Sequence, residues 1–286
     1  MSARTLKLKV NPSPLPTNVS NGPKLVLNSS NPNKPTTLKI VQPENHETTN
    51  SSPGNSSEDY RVGADDYDQK DPRTHVYDVA DTYIGSDEQI PRTERILDLE
   101  TMMFTEQKID LPLGIERLFV EISSNAGDNA ARSLRNGIDP GEVTVSMTKK
   151  IITVRNGGIP IPVEINKATG MYAPELIFGN MFTSSNYKKE KVRTECGRNG
   201  FGAKLTNIYS KQFIVTVGDP YNEKLYRQVW SDNMKVCGTP EIRPFGKTEK
   251  AFVEVVFILD FERFGYSEYP DAVSYTHLTL PTTPYV

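Results

Sequence analysis

The spacing of apolar and polar residues changes several times along the chain from residue 113 onwards. In "LGIERLFVEISSNAGDNAARSL" the apolar residues Leu118, Phe119, Ile122 and Ala126 lie one, three or four positions apart, which predicts a helix with one apolar face. "GEVTVSMTKKIITVRN" follows a period of two and predicts two strands around a Lys-Lys turn. The pattern therefore indicates helices and strands within one domain.

The later segments extend this mixture. Pro174 precedes "ELIFGNMF" at a favourable first-turn position, which predicts a short helix, and "KLTNIYS" predicts another. Residues 183–200 are polar and basic, which predicts a mobile loop. "KQFIVTVGD", "KLYRQVW" and "AFVEVVFILD" predict strands, the first two joined as a hairpin. We expect an α+β two-layer domain, with helices on one face of a mixed, mostly antiparallel sheet.

The two ends of the chain differ from this central part. Residues 1–70 are rich in Asn, Pro, Ser and Thr, which predicts a disordered tail that serves as a linker or as an interaction or targeting segment. The folded domain is predicted over residues 71–273. The last segment, "SYTHLTLPTTPYV" at 274–286, has no charge and does not continue the preceding pattern. We expect it to be non-native.

Composition narrows the class of protein. The net charge is −3, so the chain as a whole lacks the basic character of a nucleic-acid-binding domain. The sequence has no apolar run of about 18 residues and no apolar leader, so neither a transmembrane helix nor a secretory signal is expected. The two cysteines, Cys196 and Cys237, suit neither a disulfide framework nor a metal site, and we interpret them as reduced thiols.

The first candidate site lies on the predicted helix. Glu121 and Asn125 are four residues apart and share a face, with Asp128 and Asn129 one turn further on. An amide oxygen is a suitable Mg²⁺ ligand when waters and phosphates complete the shell, and a carboxylate can act as a general base towards water. The same spacing occurs on solvated helix faces. The pattern alone therefore leaves a nucleotide site and an ordinary surface helix open.

Two glycine-rich stretches are further candidates. "GRNGFGAK", residues 197–204, is not a P-loop, because Ala203 stands where the P-loop lysine belongs and Leu205 follows Lys204. Its backbone N–H groups and Lys204 could contact phosphate, or it could be a flexible basic loop that ends in a helix cap. "VRNGGIPIP" leads a strand into a Gly-Gly turn after Asn156, which is also a common way for a strand to end.

Taken together and in order, "FVEISSNAGDN", "VRNGGIPIP", "PELIFGNMFTSSNY" and "GRNGFGAK" resemble the N-terminal GHKL, or Bergerat-fold, ATPase domain of eukaryotic-type DNA topoisomerase II. The resemblance extends over residues 75 to 272. It implies that Glu121 is the general base and that Asn125 is the Mg²⁺ ligand. The implied ATP-binding set is Asn125, Asn129, Asn156, Ser184, Ser185, Asn186, Gly197, Arg198, Asn199, Gly200, Phe201, Gly202, Ala203 and Lys204.

The resemblance also implies partners and location. ATP and Mg²⁺ would be the cofactors, and two copies would form a homodimer at an ATP gate that Tyr83 helps to build. Duplex DNA would be the substrate of the full-length enzyme, in the nucleus, with a cytoplasmic or viral-factory location as the alternative, and no membrane is implied. We expect the transducer, the TOPRIM domain and the DNA-cleaving tyrosine to lie beyond this chain, which would then be at most a weak ATPase alone.

Departures from the family pattern keep alternatives open. Gly157 stands where the family usually has Asp, and Pro160 where it has Gly. Losing that carboxylate would remove a hydrogen bond worth about 0.5–1.5 kcal/mol and weaken adenine recognition. Ser123 and Ser124 also replace apolar residues. The alternatives are a non-catalytic nucleotide-binding module and a MutL-like or Hsp90-like ATPase, although "GRNGFGAK" argues against the last two.

Overall fold

The computed structural model describes residues 4–9, 69–98, 103–181 and 201–269. The elements below all belong to the unit formed by Met1–Pro12 and Lys70–Val286, whereas the second unit, Ser13–Gln69, is described only at Gln69. Most of the predicted disordered tail, the predicted mobile loop at 183–200 and the predicted non-native segment at 274–286 lie outside the described residues.

The described helices and strands follow one another in a mixed order. In chain order they are β1 (Arg4–Lys9), α1 (Pro72–Asp78), α2 (Ala80–Tyr83), β2 (Arg92–Asp98), β3 (Met103–Ile109), α3 (Leu113–Arg135), β4 (Glu142–Met147), β5 (Ile152–Asn156), α4 (Ala173–Gly179), α5 (Gly202–Ile208), β6 (Ser210–Asp219), β7 (Lys224–Ser231), β8 (Val236–Cys237), β9 (Glu241–Pro244), β10 (Phe252–Leu259) and a 3₁₀ helix (Phe261–Phe264).

The main sheet has the strand order β1-β4-β5-β10-β6-β7-β8, with β9 beside β7. Its pairings are antiparallel. Along β10, Val253, Val255, Phe257 and Leu259 are buried and alternate with partly exposed residues, as expected of a strand with one face on the core. Helices α3, α4 and α5 pack against this sheet. The predicted α+β architecture is confirmed.

Helix α3 is the longest element, and its apolar face forms part of the core. Leu118, Phe119, Ile122 and Ala126 are at most 3% exposed, as their spacing predicts. Burying the side chains of Leu118, Phe119 and Ile122 stabilises the fold by roughly 1.5–3 kcal/mol each. The helix ends at Arg135 with Asn136 as its C-cap, and Gly137 follows with a φ of 72°, a conformation that favours glycine. Because the apolar face of α3 packs in the core, its opposite, polar face is available for the candidate site.

The N-terminal helix α1 is tied to the far end of the domain through Asp260. Tyr77 Oη and Asn233 Nδ2 donate hydrogen bonds of 2.8 and 3.0 Å to Asp260 Oδ2, and Lys211 Nζ lies 3.1 Å from Oδ1. Burial alone would raise the pKa of Asp260, but these donors outweigh it and lower that pKa. The network fixes α1 and, with it, the neighbouring α2 that contains Tyr83.

Two of the differences between the structure and the sequence prediction concern β1 and the β2–β3 pair. Residues 4–9 form β1, within a segment predicted to be disordered, because they add a strand to the edge of β4. The β2–β3 hairpin was not predicted. Six of the seven residues of β3 are exposed, so its sequence lacks the alternation that a half-buried strand shows. Among the described residues, no helix combines the length and hydropathy needed to cross a bilayer.

Candidate functional site

The carboxylate of Glu121 lies directly against the first residue of α5. A Cβ atom placed on Gly202 would be 2.0 Å from Glu121 Oε2 and 2.8 Å from its Cδ, far inside van der Waals contact. Arg117, one turn earlier in α3, holds the other oxygen, with Nη2 2.6 Å from Oε1. The Glu121 side chain is 19% exposed. The absence of a side chain at Gly202 therefore allows the carboxylate and the start of α5 to meet.

Two hydrogen bonds fix α5 in this position. Thr206 Oγ1 donates to the Leu118 carbonyl in α3 at 3.0 Å, and Asn207 Nδ2 donates to the Phe178 carbonyl in α4 at 3.0 Å. Both side chains are fully buried. Because a buried hydrogen bond is costly to break, the start of α5 is held rigidly beside Glu121.

Asn125 and Asn129 continue the stripe that begins at Glu121. Asn125 is exposed, one turn beyond Glu121, so its amide oxygen is accessible to a ligand. Asn129 is 7% exposed and is used within the protein: Nδ2 donates to the carbonyls of Gly157 and Ile159 at 3.2 and 3.1 Å, and Oδ1 accepts from Arg132 at 2.7 Å. Asn129 thus holds the turn that follows β5.

The turn after β5 packs closely against α3. Ser133 Oγ donates to the Asn129 carbonyl at 2.7 Å and accepts from the Ile159 N–H at 2.9 Å. Gly158 has a φ of 93°, and a Cβ atom there would lie 2.2 Å from Ser133 Oγ. Asn156 ends β5, is 6% exposed, and donates to the Gly157 carbonyl at 2.9 Å. These contacts bring the turn to the same side of α3 as Asn129.

Gly157 lies where the structure leaves no room for a side chain. A Cβ atom at Gly157 would lie 2.6 Å from the Pro140 carbonyl oxygen and 3.4 Å from that of Ala251. Backbone on both sides occupies the space that a side chain would need. The local packing therefore requires a glycine at this position.

We expect Gly157→Asp, which introduces the carboxylate that the family resemblance leads us to expect there, to destabilise the protein by about 1–3 kcal/mol without improving ATP binding, because it overpacks the turn. Pro160→Gly is the control at the second departure, and its expected effect is within about 1 kcal/mol. Thermal unfolding and nucleotide titration of both variants provide the measurement. Tighter ATP binding by Gly157→Asp at unchanged stability would contradict this account of the turn.

Lys204 lies in the first turn of α5 and is only 1% exposed. Burial disfavours the charged form of an amine, and it lowers the pKa of Lys204 from 10.5 to about 8. In this structure the lysine is therefore sequestered in the protein, rather than extended into solvent. Phe201, just before α5, is partly buried, and Ala203 is 6% exposed.

The structure thus brings Glu121 together with Gly202, and Asn129 with the turn after Asn156. Ser184, Ser185, Asn186, Gly197, Arg198, Asn199 and Gly200 lie outside the described residues. Sequence reasoning missed Arg117, although an Arg four residues before a Glu on a helix is a recognised pairing pattern. It also missed Pro140 and Thr206, which act through backbone and long-range contacts that have no local signature.

Curated proteins similar to this chain in sequence share one name. The chain is 40% identical over 211 residues to a Caenorhabditis elegans protein named as a mitochondrial DNA topoisomerase 2, covering 72% of this chain. It is 36% identical over 209 residues to DNA topoisomerase 2 of Saccharomyces cerevisiae, again over 72% of this chain. The chain spans 18% and 14% of the lengths of these relatives. No protein-family model matches.

Solved structures give the same result. The ATPase region of Saccharomyces cerevisiae topoisomerase II superposes with a TM-score of 0.68 at 32% identity, covering 75% of this chain and 56% of that one. The ATPase and transducer domains of DNA topoisomerase II from Balamuthia mandrillaris superpose with a TM-score of 0.65 at 33% identity, covering 74% of this chain and 54% of that one.

The fold, with α3 and α5 meeting at Glu121 and Gly202, is that of a GHKL ATPase domain. Within that class, the chain belongs to the DNA topoisomerase II family and corresponds to its ATPase region.

Proposed function

We propose that this chain binds and hydrolyses ATP as the gate of a type II DNA topoisomerase, with the ATPase domain spanning residues 71–273. The observation that carries the proposal is the Glu121 carboxylate held by Arg117 against Gly202, in a chain whose relatives are DNA topoisomerases 2. A carboxylate fixed on a rigid helix is well suited to activate a water molecule, because its position costs no reorganisation during the reaction.

The residues around Glu121 suit a magnesium nucleotide. Among the described residues, no three His, Cys, Asp or Glu side chains cluster as metal ligands. Mg²⁺ commonly takes one or two protein oxygens and completes its shell with waters and phosphates. The exposed Asn125 amide oxygen fits that role. When bound, the ion would neutralise phosphate charge, while Glu121 takes the proton of the attacking water and Arg117 keeps its carboxylate in place.

The remaining contacts are assigned from the family pattern. Asn156 and the turn held by Asn129 would form the adenine side of the site. Phe201 to Lys204 would contact the phosphates at the start of α5. The same proposal extends to positions outside the described residues: Ser184, Ser185 and Asn186 towards the ribose and phosphates, and Gly197, Arg198, Asn199 and Gly200 in the lid.

In the whole protein, ATP binding would bring two gate domains together around a DNA duplex, with Tyr83 near the contact, and hydrolysis would reopen them. A ligand that prefers the closed dimer shifts the population towards it. We propose a nuclear location, although one relative is named as mitochondrial.

Sedimentation velocity tests the gate proposal. With Mg²⁺ and a non-hydrolysable ATP analogue, the chain should shift from monomer towards dimer, and ADP should produce a much smaller shift. A monomer in both nucleotides, at concentrations that saturate binding, would remove the gate assignment and leave only nucleotide binding.

The pKa of Lys204 predicts a proton linkage. Between pH 8 and 10.5 the unfolded chain holds a proton that the folded chain lacks, so this group makes the folded state more stable as pH rises. A phosphate beside Lys204 would favour the charged amine. ATP binding near pH 8.5 should therefore take up a proton, and affinity should fall as pH rises further.

Calorimetric titration at pH 8.5, in two buffers with different ionisation enthalpies, measures this uptake. Lys204→Met is the matched variant and should show none. Equal apparent enthalpies in the two buffers for the unchanged chain would mean that Lys204 does not meet the phosphates.

A further inference from the structure

Strands β2 and β3 form a two-stranded sheet of their own, outside the main sheet. An isolated two-stranded hairpin is marginally stable in water unless it packs on something else. This hairpin is anchored at its base, where Arg92 donates to the Leu111 carbonyl at 3.0 Å and Ile109 is 5% exposed. Towards its tip, Met103 and Phe104 are 66% and 57% exposed. The outer part of the hairpin therefore presents a surface suited to a partner.

The two strands of the hairpin differ in how their charges are used. On β2, Arg92 pairs with Glu94 at 2.9 Å and with Glu116 of α3, so contacts within the chain engage the base of this strand. On β3, the first six residues are exposed, and Glu106 and Lys108 lie on one face because they are two positions apart. An edge strand presents backbone N–H and C=O groups to any strand that can pair with it. The β3 edge is therefore the better candidate for pairing with a further strand.

Charge indicates which partner fits this edge. The two strands together carry three basic and three acidic residues, so the hairpin lacks the positive excess that nucleic acid requires. In an antiparallel pair, opposite charges directly across from each other stabilise the pair and like charges destabilise it. A fitting strand thus places a basic residue opposite Glu106 and an acidic residue opposite Lys108. Read in reverse, β3 itself has this pattern.

A second copy of β3 meets this requirement in one symmetric register. When two identical strands pair antiparallel, the two-fold axis passes between the two copies of one residue. With Gln107 on the axis, Glu106 faces Lys108 of the second copy at both ends of the pair. With Glu106 or Lys108 on the axis, like charges face each other, and with Thr105 on the axis, Glu106 faces Phe104. Charge therefore selects the Gln107 register.

We propose that the β3 edge pairs with β3 of a second copy of this chain, antiparallel and with Gln107 on the two-fold axis, so that the two hairpins form a four-stranded sheet. Within each hairpin Arg95 lies opposite Glu106, so the charges alternate along the row from Arg95 through Glu106 to Lys108 of the second copy. Two seven-residue strands make a small contact, so the pair forms when a further contact holds two copies together. The proposed gate supplies that contact, and in this respect the inference rests on the proposed function.

Charge variants test the pairing by sedimentation velocity with Mg²⁺ and the non-hydrolysable ATP analogue. Glu106→Lys and Lys108→Glu each place like charges opposite each other in a homodimer, and each should weaken dimerisation about fivefold or more. An equimolar mixture of the two variants places opposite charges together at both ends of the pair, so it should dimerise as well as the unchanged chain. Lys250→Glu changes the net charge as Lys108→Glu does and should have no effect.

A cysteine on the axis tests the register without requiring nucleotide. In a chain with Cys196→Ser and Cys237→Ser, Gln107→Cys should form an intermolecular disulfide under mild oxidation, because Cα atoms across an antiparallel pair are about 4.5–5.5 Å apart. Thr105→Cys, on the same face of β3, is the matched control and should cross-link at least about tenfold more slowly. Non-reducing electrophoresis, with and without nucleotide, measures both rates.

The two tests separate the strand pairing from the gate. If the unchanged chain dimerises with nucleotide, a mixture of the charge variants that dimerises no better than either variant alone would overturn the pairing and leave the gate intact. If the unchanged chain stays monomeric, the gate proposal fails and the cross-link decides. Faster cross-linking of Gln107→Cys than of Thr105→Cys would then support the pairing, whereas equal or absent cross-linking would overturn it.

Discussion

Glu121→Gln is expected to lower ATP turnover by at least about 10²-fold while ATP binding changes little, because the amide keeps the size of the carboxylate but cannot accept a proton. The structure explains why Glu121→Gln should change turnover without disturbing the fold. Glu121 contacts Arg117 and the start of α5, and its side chain is 19% exposed. Loss of the Arg117 pair should cost little stability, since Arg117 is 58% exposed.

Turnover is best measured with the chain joined to the transducer domain of the Balamuthia relative, and binding with the chain alone. Glu116→Gln in the same helix is the control, because Glu116 pairs with Arg92 of β2. Its turnover should stay close to that of the unchanged protein. Equal turnover by Glu121→Gln and the unchanged protein would remove Glu121 from the role of general base.

Gly202→Ala is expected to reduce turnover by about 10- to 100-fold, because the new methyl group needs the space of the Glu121 carboxylate. The carboxylate is the end of a flexible side chain and can move aside. The free energy of unfolding should therefore change by less than about 1 kcal/mol. Gly202→Ala therefore distinguishes a loss of turnover caused by a displaced base from a loss caused by unfolding.

Gly127→Ala in α3 is the control for Gly202→Ala. Nothing lies within 4 Å of the Cβ position at Gly127, so alanine should stabilise the helix by up to about 1 kcal/mol and leave turnover unchanged. The double variant Gly202→Ala with Glu121→Gln should be little slower than Glu121→Gln alone, because both changes remove the same function. Full turnover by Gly202→Ala would contradict the close contact at the site.

The elements that periodicity predicts are those with one face on the core. Helix α3 and strands β4, β5, β7, β10 and the middle of β6 alternate buried and less buried positions at the period of their structure, so local sequence carries the information. Strand β3 is exposed over nearly its whole length and carries no such signal. Strand β1 escaped prediction because it is only six residues long and adjoins a long segment rich in Asn, Pro, Ser and Thr.

In the candidate site, too, local spacing predicts some features, whereas others depend on contacts between distant segments. Spacing alone predicts that Glu121 and Asn125 share a helix face, and the structure places both on the polar side of α3. Spacing cannot predict that Gly202 meets Glu121, because that contact depends on how α5 packs on α3. The crowding of Gly157 by the Pro140 carbonyl is likewise a backbone contact between separate segments. The sequence alone shows only that Gly157 lacks the carboxylate expected there.

The central claim is that Glu121, Asn125 and the start of α5 form one magnesium–nucleotide site. Calorimetric titration of the whole chain with a non-hydrolysable ATP analogue, with and without Mg²⁺, tests it most directly, with Asn125→Ala alongside. We predict binding that strengthens at least tenfold with Mg²⁺, a gain of about 1.4 kcal/mol that Asn125→Ala should abolish. Absence of binding by the folded chain, or binding indifferent to both Mg²⁺ and Asn125, would contradict the claim.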